Sequence, residues 1–510
     1  MNGRGPGATD LAGGSALRLD SIPLLTVDEL SGIALETVAA GGRIASLFAA
    51  RTKGIEGVQI FAVLADDGRN LLSVARAAVE GDAFPALAPL CPQAQAFERE
   101  IAEQYGLVPE GHPWLKPLRY HASWTGRDAW GRKAGAPIPP GVGDFFRVEG
   151  DQVHEVAVGP VHAGVIEPGH FRFQCHGEKV FHLEIALGYQ HRGIEAAMAG
   201  GPDKRSIHYA ETAAGDTSVG HATAYAQVCE SLATCQEPAR AQALRGVALE
   251  LERLANHVGD LGALSGDVGY QPSASYCGRI RGDLLNMTAL VCGNRFGRGF
   301  VVPGGVGFDV GADRADELLR RLLAAERDTE VAVRLLWDNQ SVMARLEDTG
   351  PISKGVALEL GLVGPAARAS GLARDVRFDQ PTGIFRFVQI PVSTYDSGDV
   401  FARAFVRWLE IRQSIVFVRD LLGAVPSGGI ASPLGPLAPD SLAVSLVEGW
   451  RGEICHAAIT DERGRFARYK VVDPSFHNWA ALAYAMRGQD ISDFPLCNKS
   501  FNLSYCGHDL

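Results

Sequence analysis

The sequence predicts an α+β protein: a small N-terminal α/β domain followed by a mainly helical domain with peripheral β-strands. Three observations carry that reading. Short β-like apolar runs lie between Ile22 and Leu118, long helical stripes dominate from Glu237 to Leu422, and β character returns after Ser441. At 510 residues the chain is too long for one ordinary core and suits two or three packed units.

Residues 1–20 are rich in Gly and Ala, lack the apolar stretch of a secretory signal, and read as a flexible tail. Residues 21–134 form the first domain. Gly57–Leu64 has strand character, and Leu71–Val79 reads as strand or helix. Phe97, Ile101 and Tyr105 share one helix face, with Glu98, Arg99, Glu100 and Glu103 around them. The Pro/Gly-rich run at 135–144 reads as a linker.

Residues 145–510 form the second domain. Val153–Val158 and Phe171–Ile185 read as strands around the loop Gly159–His170. In Glu237–Leu264, Leu244, Val247, Leu251, Leu254, Val258 and Leu261 recur at steps of three and four, the stripe of a core helix. Glu250, Glu252, Arg253 and His257 then flank that stripe. Ala312–Leu346 and Val400–Leu422 are further long helices, the latter with Arg403, Arg407 and Arg412 at polar positions. Strands at Ile454–Thr460 and Tyr469–Val472, a helix over Trp479–Arg487 and an irregular end complete the order.

Composition excludes several functions. A net charge of −11 opposes nucleic-acid binding, because nothing would offset phosphate repulsion. No run is long and apolar enough for a membrane span. The nine cysteines form no C-x-x-C pair and read as reduced, packed thiols. Phosphate-binding loops, dinucleotide fingerprints and nucleophile elbows are absent.

Two regions carry titratable groups in unusual density. The loop 159–170 sets His162, Glu167 and His170 among glycines and prolines. Two readings stand: a proton-handling loop, or a hairpin whose histidines satisfy backbone carbonyls. A second cluster runs through His191, Arg192, Glu195, Asp203, Lys204, Arg205, His208, Glu211, Asp216 and His221, for which solvated surface is the alternative.

Several stretches together resemble one superfamily: the large subunit of membrane-bound [NiFe] hydrogenases, of the formate hydrogenlyase and hydrogenase-4 component G type, and the 49 kDa subunit of respiratory complex I. They are GPVHAGVIEPGHFRF (159–173), GYQHRGIE (188–195), ARAQALRGVALELERLANHVGDLG (239–262), GNRFGRGFVVPGGV (293–306), GPAARASG (364–371), WLEIRQSI (408–415) and VEGWRGE (447–453). FEREIAEQYGLVPEGHPWLKPL (97–118) is similar to the complex I 30 kDa subunit, so the resemblance spans about residues 20–510.

The resemblance also implies where the chain departs. Family hydrogenases hold nickel and iron through two C-x-x-C pairs. Here the corresponding positions fall on Ala214, Thr217, Ser504 and Gly507, none able to replace a thiolate. That argues against a [NiFe] centre. The complex I quinone pattern is incomplete too: Ile166 stands four residues after His162, and Gly215 stands where a tyrosine is expected.

The resemblance therefore implies a subunit of a membrane-associated, complex I-like oxidoreductase, not active alone. It would form an electron-acceptor cavity against a small subunit carrying a [4Fe-4S] cluster, with antiporter-like membrane subunits completing the assembly on the cytoplasmic face. Quinone would be a possible acceptor, and any NAD site would lie on another subunit. By position, His162, Glu167 and His170 would handle protons, Glu195 would be a proton-path carboxylate, and Asp216 and His221 would polarise the acceptor. Two alternatives remain: a catalytically silent coupling subunit, and a hydrogenase with unusual ligands such as Cys506, His508 and His221.

Overall fold

A computed structural model describes residues 7–11, 14–133, 135–138, 144–163 and 166–510; positions 139–143 of the expected linker lie outside them. In chain order the first unit comprises β1 (Thr9–Leu11), β2 (Ala16–Arg18), β3 (Leu24–Leu25), α1 (Val27–Ala39), β4 (Arg43–Ala50), β5 (Val58–Asp66), β6 (Leu71–Val79), β7 (Ala83–Pro85), α2 (Gln95–Tyr105) and β8 (Val108–Glu110). Strands β4, β5 and β6 form an antiparallel meander, with β1 on the far side of β6 and β3 running parallel along it. The strand-or-helix alternative at 71–79 resolves to strand, paired along its length with Val58–Asp66. Helix α1 starts at a reciprocal capping box between Thr26 and Glu29.

The described part of the expected tail is built into the fold. β1 pairs with β6, and Ala16–Arg18 pairs with Ser441–Ala443 of the second unit. Backbone pairing, which composition does not reveal, anchors this segment.

The second unit opens with an antiparallel sheet of β9 (Val153–Val158), β10 (His170–His176) and β11 (Lys179–Ala186). The single strand expected over 171–185 is thus a hairpin, turned at Gly177 with φ of 57°. There follow α3 (Ile194–Met198), α4 (Ser206–Glu211), α5 (Ser218–Ala233), α6 (Ala239–Asp267), α7 (Gln271–Cys292), the ribbon β12 (Val301–Val302) and β13 (Gly305–Val306), α8 (Ala312–Trp337), α9 (Gln340–Leu346), α10 (Lys354–Glu359), α11 (Gly364–Ala369), α12 (Val376–Asp379) and α13 (Val400–Gly423). Helices α6, α7, α8 and α13 pack as a bundle, and every residue of the α6 stripe is buried. The helix expected over 312–346 breaks before Asn339, whose side chain caps α9.

The chain ends with β14 (Ser441–Gly449), β15 (Gly452–Thr460), β16 (Phe466–Val472), α14 (Pro474–Ala485), α15 (Phe494–Phe501) and α16 (Tyr505–His508). The expected irregular end is therefore mostly short helix. Strand order is β16-β15-β14-β2. Alternation explains why β14 and β15 are buried throughout. Leu442, Val444, Cys455 and Ala457 face the core of the first unit, whereas Ala443, Ala458, Tyr469 and Val471 face α5 and α3. This sheet joins the two units.

Burial of charge is the main departure from the helix patterns. Arg403 and Arg407 of α13 are buried, as are Glu98, Glu100 and Glu103 of α2 and Glu250, Glu252, Arg253 and His257 of α6. These helices are covered on their polar faces as well, so each charge needs a partner. Glu98 accepts from the Leu87 and Ala88 amides, Glu100 pairs with Arg119 at 2.7 Å, and Arg407 pairs with Asp260 at 2.7 Å.

Candidate functional site where two turns meet

The turn Ala213–Thr217 leads into α5, and the turn Asn502–Asp509 carries α16. Two arginines span them. Arg451 donates through Nη1 and Nη2 to the Asp216 carboxylate at 2.6 and 2.8 Å and through Nε to the Asn502 carbonyl at 2.5 Å. Its guanidinium stacks on Trp450 at 3.9 Å, whose indole N–H donates to the Asp216 carbonyl at 3.0 Å. Arg192 donates to the carbonyls of Ala213 at 2.8 Å and Cys506 at 3.3 Å. The four positions assigned to lost ligands therefore belong to turns that share two guanidinium groups. All four are buried.

Those positions do not suit a thiolate-bound metal. Ala214 offers no donor atom. The Thr217 hydroxyl is engaged by Arg451 at 3.2 Å and Trp450 at 3.1 Å. The Ser504 hydroxyl accepts from the Gly507 amide at 2.9 Å. A Cβ on Gly507 would come within 2.7 Å of Asp473 Cγ, so a cysteine there requires Asp473 to move. Among the described residues no three His, Cys, Asp or Glu side chains converge as a metal site.

Asp473 ends a buried row of hydrogen bonds. Tyr469 Oη lies 2.8 Å from His456 Nδ1, His456 Nε2 lies 3.0 Å from His221 Nδ1, and His221 Nε2 lies 3.0 Å from Asp473 Oδ2. All four residues are buried. One donor assignment satisfies every link: the phenol donates to His456, His456 to His221, and His221 to the Asp473 carboxylate. Burial and the neighbouring His221 hold His456 well below the usual imidazole range, and burial holds the Tyr469 phenol up. Despite its burial, Asp473 stays below the usual carboxylate range because His221 and Arg451 face it. Asp473 also caps α14 through the Ser475 amide at 2.8 Å. The Asp-Pro-Ser sequence at 473–475 is the cap signal that was there to find.

The loop 159–170 meets the C-terminal turn. Glu167 Oε2 accepts from the Tyr505 and Cys506 amides at 3.2 and 3.3 Å, and His162 Nε2 lies 3.4 Å from Tyr505 Oη. Gly164 and Val165 lie outside the described residues. His170 uses both ring nitrogens locally: Nδ1 at 3.4 Å from the Gly159 carbonyl, Nε2 accepting from Arg172 at 3.2 Å. Burial lowers its pKa. The GYQHRGIE segment grips the same turn, with the Gly188 and Gln190 amides donating to the Asp509 carboxylate.

Glu195 lies apart, between the two units. Its carboxylate accepts from Lys470 Nζ at 2.9 Å, Arg468 Nη2 at 2.8 Å and the Val471 amide at 3.0 Å. Although burial opposes charge there, Lys470 and Arg468 hold its pKa far below the usual range. It is a fixed anion bracing α3 against β16. A further buried cluster links α6, α11, α12, α13 and β14. Arg368 pairs with Glu410 and Glu448, each at 2.8 Å, Arg377 with Asp375 at 2.6 Å, and Arg253 with Glu250 at 3.1 Å.

Thus Glu167, His162, Asp216 and His221 converge around the two turns, while His170 lies at the loop base and Glu195 is elsewhere. The reading of 191–221 as solvated surface fails for Glu195, Glu211 and His221, which are buried. Sequence reasoning missed Arg451, Tyr469, His456 and Asp473.

Comparison with known proteins gives the same family from both ends of the chain. Residues 42–131 match the respiratory-chain NADH dehydrogenase 30 Kd subunit, and residues 267–434 and 432–509 match the 49 Kd subunit. Carbon monoxide-induced hydrogenase of Rhodospirillum rubrum is 32% identical over 68% of this chain and 97% of its own length. Formate hydrogenlyase subunit 5 of Escherichia coli (strain K12) is 29% identical over 83% of this chain and 76% of its own. An NADH-quinone oxidoreductase subunit of Clostridium beijerinckii is 28% identical over 63% of this chain and 87% of its own. The chain belongs to the family that unites the complex I 49 kDa subunit with the large subunits of membrane-bound hydrogenases, and a 30 kDa-like domain precedes that part.

Proposed function

We propose that this chain is the acceptor-site subunit of a membrane-associated, complex I-like oxidoreductase and works there without a [NiFe] centre. The carrying observation is the meeting of two features at one place. The turns that carry the ligand positions are tied together by the Arg451–Asp216 clamp, which also engages Thr217, and a buried Tyr–His–His–Asp row ends at Asp473 against Gly507. No helix of the described residues is long and apolar enough to cross a membrane, so attachment at the cytoplasmic face would run through partner subunits.

In this reading a small iron–sulfur partner packs against the two turns and its [4Fe-4S] cluster supplies single electrons. A quinone or another small acceptor takes up protons as it is reduced, and this chain provides them. The row fixes His456 and His221 each in one tautomer, so that a proton is held on His221 Nε2 at the Asp473 end, beside the C-terminal turn. Glu167 and His162 offer a second place for proton handling, at Tyr505 and Cys506 of the same turn. Arg451, held by Asp216, places a fixed positive charge where negative charge develops on the acceptor. Antiporter-like subunits would complete the assembly.

The assay is electron transfer from the purified complex to quinone analogues. Asp473→Asn and His221→Gln should slow turnover while the complex still assembles. Complete failure to reduce any acceptor in the unaltered complex would instead favour a silent coupling subunit. The buried network from Arg253 to Glu448 speaks for that second reading, because it ties the bundle to the central sheet. The reading as a hydrogenase with unusual ligands finds its three groups committed elsewhere. His221 bonds His456 and Asp473, His508 lies 3.1 Å from the Asp509 carboxylate and stacks on Phe476, and Cys506 Sγ lies 3.4 Å from Ser504 Oγ.

A further inference from the structure

The loop 159–170 and the C-terminal turn close a ring of contacts through Gly169. The Gly169 amide donates to the Pro160 carbonyl at 2.9 Å, and His162 Nδ1 lies 3.3 Å from the same oxygen. On its other side Gly169 meets the ring of Tyr505. A Cβ at Gly169 would come within 2.5 Å of Tyr505 Cε1 and 2.9 Å of Cδ1, so a larger residue displaces the ring. That ring is buried, T-shaped to Trp479 at 5.0 Å, and its phenol oxygen stands 3.4 Å from His162 Nε2. Both nitrogens of His162 are therefore met by groups that Gly169 sets in place.

The chemistry of the two partners assigns the protons. A carbonyl can only accept, so His162 Nδ1 carries the hydrogen that points to Pro160. Nε2 of the neutral ring is then a lone pair, and the Tyr505 phenol is the donor to it. Burial raises that phenol to about 12, against the Asn498 amide, which bonds the same oxygen and lowers it. Tyr505 thus keeps its proton through the neutral range and remains a donor. Its backbone amide meanwhile donates to Glu167, so one residue holds both proton handlers of the loop.

We propose that Tyr505 is the positioning residue for His162: its phenol, seated by Gly169, fixes the imidazole as the Nδ1–H tautomer. The inference rests on the reading of His162 as a proton handler at the acceptor site, and it names Nδ1 as the atom from which the neutral ring gives its proton. Without the phenol, either nitrogen could carry the hydrogen, and the ring would present the wrong edge for part of the time.

Nitrogen chemical shifts of isotope-labelled histidine in the full chain distinguish the two tautomers, and loss of signals in His162→Gln identifies its ring among the 14 histidines. Native His162 should show a protonated Nδ1 and a bare Nε2. Tyr505→Phe keeps the ring and removes only the donor, so the ratio should move roughly tenfold toward Nε2–H, the worth of one hydrogen bond. Gly169→Ala should move it the same way with the phenol still present, because the ring is pushed off. In the purified complex Tyr505→Phe should lower turnover with quinone analogues roughly tenfold. A native His162 protonated at Nε2 would overturn the assignment, and that measurement needs no variant to fold. A ratio indifferent to Tyr505→Phe, or a shifted ratio with undiminished turnover, would overturn it too. Native His162 in the assigned tautomer, in an unaltered complex that reduces no acceptor, would instead contradict the acceptor-site reading.

Discussion

Removing the guanidinium of Arg451 tests whether the two turns are held together as the geometry indicates. In Arg451→Ala the Asp216 carboxylate loses both of its N–H donors, at 2.6 and 2.8 Å, the Asn502 carbonyl loses its donor, and Trp450 loses its stacked partner. Truncating one member of a buried ion pair costs ~3–5 kcal/mol. Asp216 is a third exposed on its side chain, so the lower end, about 3 kcal/mol, applies. The loss is local, and Cys506 on the C-terminal turn reports it, since its buried thiol reacts only when that turn opens. Opening should become roughly 100-fold more frequent. Pulse labelling with an alkylating reagent, read by peptide mass spectrometry, compares Cys506 with Cys277, which is buried in helix α7. Faster labelling of Cys506 alone is the expected result. Unchanged labelling of Cys506, or equal acceleration of both thiols, would refute the clamp.

Three further outcomes follow from other parts of the molecule. Glu167→Gln keeps an acceptor for the Tyr505 and Cys506 amides but cannot carry a proton, so turnover should fall while assembly survives; undiminished turnover would return the loop to a purely structural role. His477 is buried with Nε2 unpartnered, and burial lowers its pKa to about 4. Its folded form is therefore neutral, and its contribution to stability is complete above pH ~6.5 and lost as pH falls towards 4. Relative to His477→Gln, the native chain should lose ~1.4 kcal/mol per pH unit across that window in urea titrations; a difference independent of pH would contradict this. Leu251→Ala, at the centre of the α6 stripe and fully buried, should cost ~2–5 kcal/mol without altering the acceptor reaction per folded molecule; a cost below about 1 kcal/mol would mean that the site is not close-packed.

The α6 stripe was legible because a helix against a bundle repeats its apolar residues at a fixed period. The polar faces of α2, α6 and α13 were not. Their burial depends on partners remote in sequence: His257 meets Glu410 across 153 residues, and Arg368 meets Glu448 across 80. Periodicity within one helix cannot distinguish a charged face in water from one matched by distant countercharges. The same limit hid the proton row, since His221 meets His456 and Asp473 across 235 and 252 residues. His221 stood out within the titratable cluster 191–221, its role came from the resemblance, and its chemistry only from its neighbours. Strand β2 escaped for a related reason: its place in the fold is set by an edge of β14, not by its own composition.

The proposed function stands on the replacement of a thiolate-held metal by the clamp of Arg451, Asp216 and Thr217. Nickel and iron stoichiometry, measured by mass spectrometry on the assembly purified through this chain, addresses that replacement without an intermediate step. Iron only in the amount that partner clusters explain, and no stoichiometric nickel, is the expected result. One nickel per chain, lost together with activity on chelation, would contradict it.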